Sequence, residues 1–179
     1  MNSYSLGEIL LPKEKILNRV KEMAQEIQKN NKGTPLLFIG VLKGSIVFLS
    51  DLIRCMNSSI PMELDFLAVS SYGSSTQSSG IVKITKDLDE EITGRKVLVV
   101  EDIVDTGLTL HYLMNILQER SPETIEICTL LDKPDRRRVD IDITYRGFEI
   151  PDEFVVGYGL DYSGRWRNLP DIHVLRVTA

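Results

Sequence analysis

The chain has 179 residues, of which 42% are hydrophobic and 26% charged, as is usual for one soluble globular domain. The net charge of −5 argues against a polyanion-binding protein, because nucleic-acid binding usually needs a basic face. The only basic cluster, Arg136, Arg137 and Arg138, is interpreted as a solvated or subunit-contact surface.

The compartment is expected to be the cytoplasm. Cys55 and Cys128 lie in apolar segments without metal-ligand spacing, which favours small core residues in a reducing environment. Residues 1–11 include Glu8 and lack the basic start of a signal peptide. No stretch approaches the ~20 apolar residues of a membrane helix, so we expect no membrane partner.

The first half of the chain alternates between helix and strand patterns. A helix is predicted from Pro12, a suitable first-turn residue, to the Asn-Asn-Lys-Gly stop at 30–33. Residues 36–42 form an apolar strand, and a second, largely buried helix starts at Gly44. Residues 62–70 are predicted to form the next strand.

Residues 70–80 (SSYGSSTQSSG) are rich in serine and glycine. This composition is typical of a flexible linker. Because strands are predicted on both sides, at 62–70 and 81–85, we interpret the segment as a mobile loop inside one domain.

The second half continues the alternation. The apolar strand 96–100 has the pattern of a parallel sheet covered on both faces, and it precedes a helix at 106–119 and a strand at 124–131. Further strands are predicted at 141–145, 154–158 and 173–177. The pattern indicates an α/β sheet with right-handed crossovers.

Residues 97–110 (VLVVEDIVDTGLTL) contain the strongest functional signal. An apolar strand leads directly into three carboxylates, Glu101, Asp102 and Asp105, at the edge of the sheet where α/β proteins bind ligands. The helix that follows offers free backbone N–H groups and partial positive charge, which suit a phosphate. The acids upstream suit a group that is rich in hydroxyls or bound to metal.

Other interpretations explain less of this segment. Asp105 could be the N-cap of the helix, but a cap does not explain the adjacent pair Glu101 and Asp102. An aspartyl phosphatase needs its two acids two residues apart, whereas Asp102 and Asp105 are three apart. No GxxxxGK[ST] motif occurs, which excludes a Walker-type nucleotide site.

The segment VVEDIVDTGLTL resembles the phosphoribosyl pyrophosphate signature of type I phosphoribosyltransferases. The resemblance implies that Glu101 and Asp102 hold the ribose hydroxyls, directly or through magnesium-bound water. It also implies a loop around the 5-phosphate, formed by Asp105, Thr106, Gly107, Leu108 and Thr109. Leu108 is often polar in the family, but such a loop acts mainly through backbone N–H groups.

The resemblance covers nearly the whole chain and favours the branch that acts on hypoxanthine and guanine. Lys43 and Gly44 are similar to that branch's pyrophosphate loop, in which a cis peptide before the lysine is common, and Arg167 matches a second pyrophosphate contact. Ser71 and Tyr72 resemble the tip of a mobile lid.

The same resemblance implies a purine pocket. Lys133 would contact the purine 6-oxygen, Phe154 would stack on the base, and backbone groups at Val155 would meet the edge of the base. Asp161 would bind Mg2+, so that the implied metal ligands are Glu101, Asp102 and Asp161.

The implied fold is an α/β domain over residues 1–179. Its core, at about 35–160, would have a central, mainly parallel, twisted sheet flanked by helices. Residues 70–80 would form the mobile lid, and about 1–11 and 147–179 a small hood.

The implied reaction belongs to purine salvage. Ribose 5-phosphate passes from phosphoribosyl pyrophosphate to N9 of hypoxanthine or guanine, giving IMP or GMP and pyrophosphate. Asp105 would accept the N7 proton, Mg2+ would be the cofactor, and the assembly would be a homodimer or homotetramer.

Two alternatives stay open at the level of sequence. A regulator that senses phosphoribosyl pyrophosphate and binds RNA or DNA would share the signature, although the acidic composition disfavours it. A phosphoribosyltransferase for xanthine, adenine or a pyrimidine is the closer alternative. Lys133 and the Phe154 pocket argue against adenine and pyrimidines, and less so against xanthine.

Overall fold

The computed structural model describes residues 3–58, 60–71 and 82–178. Helices and strands alternate along most of this length. Their order is β1 (Ser3–Leu11), α1 (Lys13–Asn30), β2 (Leu36–Leu42), α2 (Ile46–Cys55), β3 (Met62–Ser71), β4 (Val82–Lys86), β5 (Lys96–Val104), α3 (Leu108–Glu119), β6 (Thr124–Asp132), β7 (Tyr145–Glu149), β8 (Val155–Val156) and β9 (Ile172–Thr178).

Six strands form a central sheet in the order β4-β3-β2-β5-β6-β7. The neighbours from β3 to β7 pair in parallel, and only the edge strand β4 is antiparallel to its partner. This architecture confirms the mainly parallel α/β sheet expected from sequence.

Successive residues of the central strands face opposite layers of the core. In β2, Leu36 and Phe38 pack in the cluster formed with α1 and α2. Leu37 and Ile39 pack in a second cluster, on the side of α3. Both faces of the strand are therefore covered, which explains its uninterrupted apolar sequence.

A second, antiparallel sheet joins the two ends of the chain in the order β1-β9-β8. Tyr4 lies opposite Val177, and Val155 lies opposite Val174. This sheet corresponds to the hood expected from the terminal segments. The domain boundaries given above stay predictions.

Several elements differ from the sequence predictions. β5 continues to Val104, so Glu101 and Asp102 lie within the strand and not after it. The strand predicted at 141–145 is wrong, because β7 begins only at Tyr145. Ile46, in the helix expected to be largely buried, is 48% exposed.

Residues 72–81, which include most of the predicted lid and Tyr72, lie outside the described residues. Ser71 is the last residue of β3. In the described ranges no helix combines the length and apolar character required to cross a membrane.

Candidate active site

Three neighbouring parallel strands end at the same edge of the central sheet. β2 ends at Leu42, β5 at Val104 and β6 at Asp132, and the last two residues lie directly opposite each other. Lys43, Asp105 and Lys133 follow these strand ends. The parallel topology thus gathers three predicted site residues from distant parts of the sequence.

Glu101 and Asp102 form a pair of neighbouring acids near this edge. Burial, followed by the charge of Asp102, raises the pKa of Glu101 well above its ordinary value. Burial also raises the pKa of Asp102, although hydrogen bonds from Glu101 and from the backbone N–H of Ile103 oppose that shift. Burial and mutual repulsion disfavour full ionisation of the pair, and a cation bound beside the two carboxyl groups would favour their charged forms.

The loop after β2 packs directly on Asp102. The Leu42–Lys43 peptide is cis, a point that the sequence left open, and Lys43 is exposed. A Cβ at Gly44 would lie 1.7 Å from Asp102 Oδ2, so a larger residue there would displace the Asp102 carboxylate. The Ser45 hydroxyl donates to the Val41 carbonyl at 2.6 Å and closes the loop.

The turn after β8 approaches the same loop. Arg167 pairs with Asp161 at 2.6 Å and donates to the Gly159 carbonyl at 2.7 Å. Burial raises the pKa of Asp102, and the positive charge of Arg167 opposes part of that rise. The second Asp161 oxygen accepts the backbone N–H of Gly164 at 2.6 Å. These contacts bring Arg167 within electrostatic range of Asp102 in β5.

The turn between β5 and α3 has the geometry of an anion site. Gly107 has φ +82° and is the N-cap, so the hypothesis that Asp105 caps the helix is wrong. The helix begins at Leu108, two residues later than predicted. The N-terminus of this helix adjoins a cavity of about 170 Å³. The cavity is lined by Glu101, Ile103, Val104, Asp105, Thr106, Gly107, Thr109 and Leu110.

A second cavity, of about 240 Å³, adjoins the first. Its lining residues are Asp102, Ile103, Asp105, Lys133, Phe154, Val155, Leu160 and Asp161. Lys133 is 6% exposed, whereas Phe154 is 53% exposed. Asp105 and Ile103 line both cavities, so Asp105 lies at their junction.

Two arginines of the basic cluster also contact the site, although Arg136 and Arg138 are exposed to solvent as expected. Arg136 Nε donates to Asp105 Oδ1 at 3.0 Å and also pairs with Asp152 at 3.5 Å. Arg137 donates to the Asp105 carbonyl at 3.1 Å and pairs with the buried Asp132. Basic residues placed just after the end of a central strand were the available signal in the sequence.

The implied magnesium ligands do not form one group. Within residues 3–58, 60–71 and 82–178, no three acidic, histidine or cysteine side chains converge on a common point. Glu101 and Asp102 are adjacent, whereas Asp161 is paired with Arg167. The β5 pair has the hard oxygen ligands and the excess negative charge that Mg2+ prefers. The residues present therefore fit a magnesium ion at Glu101 and Asp102.

Comparison with known proteins agrees with this geometry. The model of the phosphoribosyl transferase domain matches residues 7–163. A hypoxanthine-guanine phosphoribosyltransferase of Bacillus subtilis is 49% identical over 176 residues, covering 98% of this chain and 97% of the relative. The chain therefore belongs to the phosphoribosyltransferase family, in its hypoxanthine-guanine branch.

Solved structures support the same assignment. The crystal structure of a hypoxanthine phosphoribosyltransferase from Staphylococcus aureus has a TM-score of 0.91 and 48% identity, covering 96% of this chain and 92% of that one. A hypoxanthine-guanine phosphoribosyltransferase from Bacillus anthracis has a TM-score of 0.89 and 44% identity, covering 97% and 99%.

Proposed function

We propose that this chain transfers ribose 5-phosphate from phosphoribosyl pyrophosphate to N9 of hypoxanthine or guanine, giving IMP or GMP and pyrophosphate. The observation that best supports the proposal is the position of Asp105 between two cavities. One cavity adjoins a helix N-terminus suited to phosphate, and the other contains a buried lysine and an exposed phenylalanine. The sugar carbon would lie near their junction.

The reaction exchanges one bond at the sugar. The purine N9 forms a bond to C1′ as the bond from C1′ to the pyrophosphate oxygen breaks, with inversion. The N7 proton passes to the Asp105 carboxylate. A free Asp has a pKa of ~3.9 and is a weak base, but the purine becomes more acidic as it acquires positive charge in the transition state.

The leaving pyrophosphate needs positive charge around it. Lys43, on the loop after β2, and Arg167, held by Asp161 and Gly159, supply fixed cations. We propose that Glu101 and Asp102 hold Mg2+ through its waters and hold the ribose hydroxyls. Bound magnesium would neutralise part of the charge on the leaving group. Asp161, whose carboxylate is paired with Arg167, is a further candidate ligand.

The remaining residues would bind the two ends of the nucleotide. Thr106, Gly107, Leu108 and Thr109 would bind the 5-phosphate through backbone N–H groups and hydroxyls. At the other end, Lys133 would donate to the 6-oxygen, Phe154 would stack on the ring, and Val155 would meet the ring through its backbone.

The assembly and the location are also proposed. We propose a homodimer or homotetramer, supported by large apolar side chains such as Ile46, Met62 and Leu64, each more than a third exposed. Sedimentation would measure this. A cytoplasmic location is supported by Cys55 and Cys128, which are both free thiols.

A turnover assay tests the activity. The protein is mixed with phosphoribosyl pyrophosphate, Mg2+ and each of hypoxanthine, guanine, xanthine, adenine and uracil, and nucleotide and pyrophosphate are quantified. We expect IMP and GMP. No product with any base would contradict the proposal and favour a sensing protein, and xanthosine monophosphate at a similar rate would widen the substrate class.

A further inference from the structure

Three aromatic rings from separate parts of the chain meet beside the base cavity. The Tyr4 and Tyr162 ring centroids are 4.3 Å apart, with the planes tilted by 38°. Tyr162 and Phe154 are 5.5 Å apart at 87°, an edge-to-face contact. Tyr4 comes from β1, Phe154 immediately precedes β8, and Tyr162 lies in the turn before β9.

Phe154 needs an external support for its ring. Its backbone is fixed, because its carbonyl accepts the Leu175 N–H at 2.7 Å, but its side chain is 53% exposed. The χ2 torsion of phenylalanine has a broad distribution, so a ring that few neighbouring side chains contact samples a range of orientations. A base that stacks on such a ring must first fix it, which costs affinity.

Tyr162 is well placed to restrict that motion. Its backbone is held in a tight turn by reciprocal hydrogen bonds with Arg165, at 3.3 and 3.1 Å. The preceding residue, Asp161, is fixed by Arg167 and the Gly164 N–H. The Tyr4 ring packs against the Tyr162 ring, and a hydrogen bond with Tyr4 raises the pKa of the Tyr162 phenol.

We propose that Tyr162, supported by Tyr4, is a positioning residue that fixes the Phe154 ring as the platform for the purine base. Because Tyr162 meets Phe154 edge to face, it cannot stack in parallel on a base that lies flat on Phe154. It acts through Phe154 and not on the reacting atoms. The inference rests on the function proposed above and assigns a part in base binding to the first strand of the chain.

The test separates base binding from phosphoribosyl pyrophosphate binding. Steady-state kinetics would be measured for Tyr162→Ala, Tyr162→Phe, Tyr4→Ala and Tyr4→Phe. We expect Tyr162→Ala to raise KM for hypoxanthine by roughly 2- to 12-fold, the range that aromatic pairs imply. The KM for phosphoribosyl pyrophosphate should stay within about twofold. Tyr4→Ala should act in the same direction and more weakly, and both phenylalanine variants should retain base affinity.

A double-mutant cycle supplies the decisive comparison. Phe154→Ala combined with Tyr162→Ala should be no worse for the hypoxanthine KM than Phe154→Ala alone. The exposed Tyr112, on α3, provides the matched control, and Tyr112→Ala should match the unmutated chain. If Tyr162→Ala does not fold, Tyr4→Ala and the phenylalanine variants still give the comparison.

Three results would overturn the inference. They are additive effects in the cycle, an equal rise of both KM values, or an unchanged hypoxanthine KM in folded Tyr162→Ala and Tyr4→Ala. If the unmutated chain turns over no 6-oxopurine, the proposed function itself fails. If the unmutated chain does convert a 6-oxopurine and the tyrosine variants have an unchanged hypoxanthine KM, only this inference fails.

Discussion

The carboxylates of the site are of two kinds. Glu101 and Asp102 lie side by side in β5, where burial raises the pKa of each. Asp105 is three residues further on, partly exposed, and paired with Arg136 at 3.0 Å. The first two are suited to gathering cations and hydroxyls, and the third to exchanging a proton with a ligand.

Asp105→Asn tests the proton transfer. Asparagine keeps the shape but cannot accept the N7 proton, so kcat should fall by about 10²–10⁴, with little change in KM for either substrate. Fixed-time assays of nucleotide formation would measure the rates, and circular dichroism would verify that the variant is folded. Undiminished kcat in the folded variant would remove Asp105 from the chemistry.

Glu101→Gln tests the burial of the acid pair through stability. A carboxyl group whose pKa is raised by folding contributes most to the free energy of unfolding at pH values below its unfolded pKa of ~4.3. That contribution is lost as pH rises through the folded pKa. The amide does not ionise, so with EDTA present we expect a higher Tm than the unmutated protein at pH 7.

The gain from Glu101→Gln should shrink as pH approaches about 4. Thermal unfolding between pH 4 and 8 would show the trend, and Glu91→Gln provides an exposed control. A Tm difference independent of pH would contradict the assignment. With Mg2+ and phosphoribosyl pyrophosphate, the unmutated protein should be stabilised more than the variant.

Lys133→Ala tests the choice of base. A lysine offers only donors, so it pairs with the 6-oxygen of hypoxanthine and opposes the 6-amino group of adenine. Where a buried polar group lacks its partner, discrimination reaches about 10⁴–10⁵. We expect the variant to have a lower kcat/KM for hypoxanthine and guanine. The ratio of these values to the kcat/KM for adenine should therefore decrease.

Lys29→Ala, at the exposed end of α1, is the control for removing a lysine. Comparable kcat/KM for adenine and hypoxanthine in the unmutated chain would show that Lys133 does not select the base. That result would leave the phosphoribosyl chemistry intact.

At the level of elements, the site depends on two loops that touch through glycines. A Cβ at Gly159 would lie 2.2 Å from the Gly44 carbonyl oxygen, and Gly44 itself lies against Asp102. The turn after β8 and the loop after β2 are thus held in contact without intervening side chains. A shift in either loop moves the other and the acids of β5.

Gly159→Ala should therefore disrupt the site, whereas Gly164→Ala should not. Both glycines have positive φ, at +100° and +78°, so both variants share the backbone strain. Only Gly159 meets a backbone atom, and nothing lies within 4 Å of a Cβ at Gly164. We expect a rise of at least about tenfold in KM for phosphoribosyl pyrophosphate in the first variant alone. Equal effects would show that strain, and not contact, is responsible.

Elements with a local sequence signal were predictable. β2 and β5 are covered on both faces, and their apolar runs revealed it. The end of β5 was missed, because Glu101 and Asp102 interrupt the apolar pattern although the ladder continues to Val104 opposite Asp132. The strand expected at 141–145 is wrong although apolar residues alternate along the segment. Ile141 and Ile143 pack against the core but do not pair with a neighbouring strand.

At the scale of the whole molecule, contacts between distant residues were beyond the sequence. The signature predicted Asp105 as a site residue, but its partner Arg136 lies 31 positions away, and no local pattern connects them. β1 likewise gave no strand signal, because its pairing partner β9 is at the other end of the chain. The motif predicted the kind of reaction, whereas the residues that contact the motif could be found only from the fold.

The pairing of β1 with β9 also has a consequence for the order in which the protein matures during synthesis. The acid pair, the phosphate turn and the central strands around them lie before residue 133, so they leave the ribosome first. The small sheet needs β9, Ile172–Thr178, which is synthesised after these elements. A nascent chain can therefore assemble its proposed phosphate site early, whereas Phe154, Tyr162 and Tyr4 can come together only after β9 has been synthesised. The complete site therefore forms later in synthesis than the part that we propose binds phosphate.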